Sequence, residues 1–150
     1  MKVATKPYGE IEIEETQRIV FPRGLFGFED LREFAVLDST QPPFCWLQSL
    51  EKVEVAFVLI DPLFFRPDYA PDVDPAEIEE IGITAPEDML VFSIVTIPVA
   101  AARMTANLQG PLIINRRART GRQSISSNPR WSVRHVVMEE LAKAKQGASC

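Results

Sequence analysis

The 150-residue sequence contains few of the residues that build catalytic or metal sites. It has one histidine, His135, and two cysteines, Cys45 and Cys150. A lone histidine without a second ligand near it in sequence does not indicate a metal site, and two distant cysteines form neither a disulfide framework nor a zinc-type spacing. The carboxylates fall mostly at alternating or helical surface positions. The sequence therefore predicts no catalytic residue, no metal and no cofactor, and an enzyme is not expected.

Long apolar runs are also missing. A membrane-spanning helix needs about 20 apolar residues, and the longest apolar run of this chain is far shorter. The first seven residues, MKVATKP, lack the apolar centre of a signal peptide. We therefore expect a cytoplasmic protein that does not enter a membrane, with Cys45 as a small core residue in a reducing compartment.

Room for long helices is limited as well. Twelve prolines interrupt the chain, and their spacing before Pro129 favours short strands and turns. The apolar fraction of 46% is ordinary for a globular protein, and a chain of this length buries about two-thirds of its unfolded surface. We predict one domain over residues 1–150, with a core over about 8–128 and a C-terminal extension over 129–150.

Short extended segments dominate what remains. Residues 10–14 alternate between glutamate and isoleucine, residues 45–50 and 54–60 predict a hairpin, and residues 89–97 form the strongest strand pattern. About ten such segments predict an all-β fold, a small antiparallel β-barrel-like domain or sandwich with one or two short helices. Apolar residues at helical spacing after Pro129 add a C-terminal helix over about 134–145.

The predicted fold is organised around residues 104–115, MTANLQGPLIIN. Two extended pieces meet at the turn 109–111, and the unbroken apolar run 112–114 predicts a strand buried on both faces. Asn107 and Asn115 flank that strand, and an amide buried there must be hydrogen-bonded. Nothing in this segment indicates catalysis.

Two loops carry the stronger functional signals. Residues 21–29, FPRGLFGFE, contain two glycines but no Lys-Ser/Thr after them, so we expect a loop folded onto the core rather than a phosphate-binding loop. The irregular stretch 61–75 is long enough to be a binding loop, or its aromatic residues only fix it to the barrel. Asp74, Pro75 and Glu77 then have the pattern of a helix start, and the acidic helix that follows is the most partner-like surface.

Charge is distributed unevenly along the chain. Residues 1–115 contain 8 basic and 19 acidic residues, whereas residues 116–150 contain 8 basic and 2 acidic residues. An acidic body is suited to binding a basic protein rather than a nucleic acid. The arginine-rich turn 116–122 leaves an alternative, an OB-like nucleic-acid-binding protein, but no aromatic residue lies within the turn for base stacking.

Several segments, in this order, resemble the flagellar assembly factor family FliW. The matching segments are 19–22, 24–25 and 27–29, then Phe44 with 47–49, then 61–62 with 67–69, and finally 104–115 with Gln123. The resemblance covers roughly residues 8–135 and fades after His135.

The resemblance implies a small β-barrel-like protein that binds two bacterial partners. One is flagellin before its export, and the other is CsrA, an RNA-binding translational regulator that represses flagellin synthesis. Such a protein binds no nucleic acid directly, and we expect it to be a monomer when free. We predict that Tyr69, Asp72, Asp74 and Glu77 contact the regulator, because an acidic surface complements a basic RNA-binding one. For flagellin we expect an apolar contact with an amphipathic helix, with its location left open.

Overall fold

A computed structural model of the protein describes residues 1–99 and 103–148. The described chain contains eleven strands and two α-helices. The strands are β1 (Lys2–Thr5), β2 (Gly9–Glu12), β3 (Arg18–Val20), β4 (Glu33–Asp38), β5 (Cys45–Ser49), β6 (Ala56–Ile60), β7 (Met89–Thr96), β8 (Thr105–Ala106), β9 (Leu112–Asn115), β10 (Thr120–Gln123) and β11 (His135–Val136), and the helices are α1 (Pro75–Glu80) and α2 (Val137–Ala148). The predicted all-β fold with short helices is confirmed.

Seven of the strands close into a barrel. Strands β3 to β7 pair in sequence order, β7 pairs with β9, β9 with β10, and β10 returns to β3. The last pairing joins Thr120 to Val20 and is parallel, whereas the other six are antiparallel. The predicted antiparallel β-barrel is therefore confirmed, with one parallel contact at the point where the barrel closes. Because the barrel is closed, each of the seven strands pairs with a neighbour on both sides over at least part of its length.

Strand alternation fills the barrel interior. Leu90, Phe92 and Ile94 of β7 pack against the interior cluster, whereas Val95 packs on the outer face. The fully buried interior side chains are Phe21, Phe34, Leu47, Leu59, Leu112 and Ile114, each at most 1% exposed. The barrel is thus a packed core and not a ligand cavity.

The N-terminal strands lie outside the barrel. β1 and β2 pair with each other as a separate two-stranded sheet, and Val3, Ile11 and Ile13 pack against Ala35 and Leu37 on the outer face of β4. In the alternating stretch 10–14, both isoleucines face the core as expected, Ile13 buried and Ile11 partly buried. β1 has no strong alternating pattern of its own and was not predicted.

Segment 104–115 contributes two strands that do not pair with each other. β8 and β9 each pair with β7, at its C-terminal and N-terminal halves respectively. At the turn between them, the Asn107 Oδ1 accepts hydrogen bonds from the backbone N–H groups of Gln109 (3.1 Å) and Gly110 (2.8 Å). Residues 112–114 are buried, which confirms the prediction of a strand covered on both faces.

The flanking amide of Asn115 is also buried, and both its nitrogen and its oxygen are hydrogen-bonded. Its Nδ2 donates to the Ile81 carbonyl at 2.9 Å, and its Oδ1 accepts from the backbone N–H groups of Arg117 and Ala118 at 3.0 and 3.1 Å. The predicted requirement for hydrogen bonding of this buried amide is confirmed.

The C-terminal helix starts later than its sequence pattern suggested. His135 and Val136 pair with Ala106 and Thr105 as β11, so α2 begins at Val137 rather than near Arg134. Because β11 supplies hydrogen bonds to β8, the chain is held extended until the pairing ends. Within the described residues, neither helix is long and apolar enough to cross a membrane.

Candidate partner-binding surface

The predicted binding loop, residues 61–75, connects β6 to α1, and its last residue, Pro75, is the first residue of that helix. It opens with a 3-10 turn over Pro62–Phe64, where the Asp61 carboxylate accepts the Leu63 N–H at 2.9 Å. Leu63 and Phe64 remain 53% and 46% exposed. The loop after this turn is irregular. It is held against the rest of the domain at three points, which are the packing of Tyr69 and Trp131, the hydrogen bonds of Asp72, and the ion pairs of helix α1 that follows the loop.

Tyr69 makes the first of these contacts from inside the protein. Its side chain is only 7% exposed, its hydroxyl donates to the Leu108 carbonyl at 2.9 Å, and its ring lies 4.8 Å from that of Trp131. Burial, with the nearby charge of Asp72, raises the pKa of the hydroxyl well above its ordinary value. Of the four predicted contact residues, Tyr69 therefore supports the loop from beneath and does not face solvent.

Trp131 forms the centre of a clasp over the same loop. Its Nε1–H donates to the Ala70 carbonyl at 2.8 Å, and the guanidinium groups of Arg66 and Arg130 lie 4.7 and 4.8 Å from its rings. Both arginines also hydrogen-bond Asp68, the Arg66 contacts measuring 3.0 Å. These bonds, that from Arg66 foremost, hold the pKa of the Asp68 carboxyl well below its ordinary value. We call Arg66, Asp68, Arg130 and Trp131 the tryptophan clasp.

The only histidine extends this clasp toward α2. Glu140 accepts from Arg66 at 2.6 Å and lies 2.9 Å from the His135 Nδ1, while the Ser132 N–H donates to the His135 Nε2 at 2.9 Å. A ring nitrogen that accepts a backbone N–H is unprotonated, so these partners favour the neutral tautomer with its hydrogen on Nδ1. Among the described residues no three histidine, cysteine or carboxylate side chains form a metal site.

Asp72 holds the loop at a second point. Its backbone adopts a left-handed conformation with φ of +50°, which aspartate tolerates better than most residues. Its carbonyl accepts from the backbone N–H and hydroxyl of Ser127 at 2.9 and 3.0 Å, and its carboxylate accepts from the Asn128 Nδ2 at 2.8 Å. The residue is exposed, so its charge faces solvent.

Asp74 begins α1 as predicted. Its Oδ1 accepts the Ala76 N–H at 2.9 Å, and Pro75 occupies the first helical position. Gly82, with φ of +79°, follows the helix end. The Asp74 side chain is exposed and forms no ion pair within the described chain.

The expected reach of Glu77 back to the helix start is not observed. Glu77 instead accepts from the Arg122 Nη2 of β10 at 2.7 Å, and Glu80 is bonded by both Arg122 and Arg23, the latter through its Nε at 3.0 Å. The bond from Arg23, then that from Arg122, lowers the pKa of Glu80. Two glutamates of α1 are thus neutralised by neighbouring arginines, which form the third fixed point.

The acidic surface is consequently smaller than the sequence suggested. In the part of the chain that the structure describes, four exposed carboxylates of the loop and α1 have no basic partner. One is Asp61 at the start of the loop, and the others are Asp72, Asp74 and Glu79. We call Asp72, Asp74 and Glu79 the acidic edge. It supplies negative charge on a fixed backbone but no paired base, nucleophile or enclosed pocket.

The arginine-rich turn is largely occupied by contacts within the domain. Arg119 donates to the Glu15 carbonyl at 2.7 Å, Arg117 lies 3.8 Å from Asp88, and Arg122 binds the glutamates of α1. Arg116 and the largely exposed Arg117 remain for a phosphate, which is a smaller basic surface than the sequence suggested and weakens the nucleic-acid alternative.

Sequence reasoning missed the tryptophan clasp and the role of Arg122. Arg122 contacts Glu80, 42 positions away, and the clasp is closed by contacts of Arg130 with Asp68 and of Trp131 with Ala70, 62 and 61 positions apart. No local spacing in the sequence predicts these contacts. The available signal was Trp131 among polar residues, since a tryptophan is a large apolar side chain and its N–H usually finds a hydrogen-bond partner when it is buried.

The chain was compared with known families, proteins and structures. The family model described as FliW protein matches residues 2–137. The flagellar assembly factor FliW of Treponema denticola is 43% identical over 144 residues, which cover 96% of this chain and 98% of that protein. The corresponding Treponema pallidum protein is 41% identical over 150 residues, all of both chains. A crystal structure of the flagellar assembly factor FliW matches with a TM-score of 0.83 at 37% identity, over 91% of this chain and 96% of that one.

Proposed function

The chain belongs to the FliW family of flagellar assembly factors, and we propose that it acts in the cytoplasm as a binding protein for flagellin and for the translational regulator CsrA. Bound flagellin occupies it while flagellin is plentiful. When flagellin is scarce, the free protein sequesters the regulator, and translation of flagellin resumes. No chemical step is part of this function.

The acidic edge is the observation that supports a regulator contact. Asp72 and Asp74 are exposed and unneutralised, and their backbone is held by the Ser127 contacts and by the start of α1. A surface that is already ordered loses little conformational entropy on binding. Negative charge on it attracts a basic RNA-binding surface and repels the phosphates that compete for the same partner.

The test is calorimetric titration with the CsrA-type regulator of the same organism, repeated after saturation with flagellin. In the variant Asp72→Asn with Asp74→Asn, asparagine tolerates the left-handed backbone and caps a helix, so both charges are removed without loss of either structural role. Exposed charge pairs contribute about 0.5–1 kcal/mol each, so loss of both should lower regulator affinity about 5- to 30-fold at low salt.

The matched control removes two exposed carboxylates elsewhere, Glu54→Gln with Glu87→Gln, and is expected to bind within about twofold of the unmodified protein, since distant exposed charges are screened. Equal affinity of the acidic-edge variant and this control would contradict the assignment of the regulator contact. Regulator binding that persists undiminished in saturating flagellin would contradict the partner exchange.

A further inference from the structure

A second surface of the barrel is apolar and open, and the acidic edge does not include it. The groove lies where β7 leaves β9 and continues along β8, at one mouth of the barrel. Its walls and floor include Leu25, Phe26, Phe57, Ile94, Thr105 and Val133. We call it the mouth groove.

The floor of the groove consists of barrel-interior positions that the closed sheet does not fully cover. Phe57 and Ile94 pack against the interior cluster yet are only partly buried. Phe26 and Val133 both line the groove and are each 52% exposed. Phe28 packs edge-on against Phe57, with 5.2 Å between the ring centroids. Exposed aromatic and aliphatic side chains grouped around a concave floor are typical of a protein-binding site.

Buried amide hydrogen bonds hold the groove in shape. The Gln123 Oε1 accepts the Phe26 N–H at 3.0 Å, and the Gln123 Nε2 donates to the Gly110 carbonyl at 3.0 Å. A Cβ added to Gly110 would lie 3.0 Å from the Asn107 amide and 3.1 Å from that of Gln123, so a glycine fits this turn best. The loop 21–29, the turn 107–111 and Gln123, which are far apart in sequence, therefore meet at this one groove.

The charge of the rim indicates which partner fits. Arg103 and Arg134 line the groove, and no acidic residue does so in the described part of the chain. In a chain with 21 acidic and 16 basic residues, this is a locally positive site. It repels a basic RNA-binding protein and favours an apolar segment that carries carboxylates.

We propose that the mouth groove binds an amphipathic helix with an apolar stripe and at least one carboxylate placed toward Arg103 and Arg134. The assignment of that helix to flagellin rests on the proposed function above. The apolar stripe of such a helix, at i, i+3, i+4 and i+7, can contact the exposed apolar side chains that line the groove. The two partners then occupy different surfaces, one acidic and one apolar with a basic rim.

Calorimetric titration with flagellin of the same organism tests the groove. The variant Phe26→Ser with Val133→Ser removes the two most exposed apolar side chains named for the groove. The matched control Leu63→Ser with Phe64→Ser removes two side chains of similar exposure, 53% and 46%, from the loop after β6. Central apolar contacts are the ones that dominate affinity. We expect the groove variant to bind flagellin at least about 10-fold more weakly and the control to bind unchanged, with thermal unfolding verifying that both are folded.

A charge reversal provides an independent measurement. Arg134→Glu should weaken flagellin binding about 5-fold or more at low salt, whereas Arg116→Glu on the distant hairpin tip should not. Both groove variants should keep their affinity for the regulator.

Three outcomes overturn the proposal in distinguishable ways. Unchanged flagellin binding by both groove variants removes the groove alone and leaves the proposed function standing. Equal losses in the groove variant and its Leu63 and Phe64 control also remove the groove. Absence of any flagellin binding by the unmodified protein overturns the flagellin part of the proposed function together with this assignment.

Discussion

Replacement of Trp131 by phenylalanine should loosen the binding loop without altering any residue of the acidic edge. The indole is 2% exposed, donates one hydrogen bond to the loop at Ala70 and has two guanidinium groups over its rings, at 4.7 and 4.8 Å. Loss of the hydrogen bond costs about 1 kcal/mol. The smaller ring, with weaker attraction for cations, costs about 1–2 kcal/mol more.

The expected loss of unfolding free energy is therefore about 2–3 kcal/mol, or about 5–10 °C in Tm for a chain of this size. Urea unfolding followed by far-ultraviolet circular dichroism measures the stability. Hydrogen exchange measures the loop, where the Tyr69 N–H bonded to the Arg66 carbonyl at 2.9 Å should lose protection. Regulator affinity should fall as well, because the acidic edge is then less ordered before binding.

The chain contains a matched control in its other tryptophan. Trp46 is half-buried on the outer face of β5 and its indole N–H has no hydrogen-bond partner in the described residues. Trp46→Phe removes a similar ring area but leaves the tryptophan clasp intact. It should therefore cost less unfolding free energy and leave hydrogen exchange of the loop amides unchanged. Equal destabilisation by the two substitutions, with equal loop protection, would refute the view that the tryptophan clasp holds the loop.

Three further predictions concern other parts of the molecule. Gly121→Ala places a Cβ 2.6 Å from the Phe21 ring in the barrel interior and should cost about 1–3 kcal/mol in urea unfolding; unaltered stability would contradict the packing. Since Arg66 lowers the folded-state pKa of Asp68, the stability from this pair is present above about pH 5 and is lost as the pH falls below about 4, so Asp68→Asn should flatten the acid limb of stability against pH. Burial raises the pKa of the Cys45 thiol to about 11, so peptide-resolved alkylation at pH 8 should be slow until urea unfolds the chain, and rapid alkylation of the folded protein would contradict this.

Local patterns predicted the elements whose causes are local. Asp74 caps α1 because its carboxylate accepts the free N–H of Ala76, only two residues later, and no distant segment takes part in this hydrogen bond. Such features depend on residue type and spacing alone.

Features that depend on contact with a distant segment could not be predicted from the sequence. Glu77 has the spacing of a capping box, yet Arg122 of β10 takes its carboxylate because a charged partner across the fold outcompetes a neutral backbone N–H. The extended pairing of His135 with Ala106 likewise displaced the start of α2. A tyrosine can either contact a partner or pack in the core, and the sequence around Tyr69 does not distinguish the two. Its packing against Trp131 in the folded chain shows that it belongs to the core.

By itself the sequence determined an all-β domain, the hairpin between β5 and β6, the capped acidic helix and the family resemblance, because alternation, turn residues and caps act over a few neighbouring positions. Tertiary structure alone decided how the barrel closes through β3 and β10, which carboxylates stay unneutralised and which apolar segments meet at the mouth groove. Those outcomes depend on which distant groups come within bonding distance, and charge and burial at a site are set by all the elements that surround it rather than by the chain on either side.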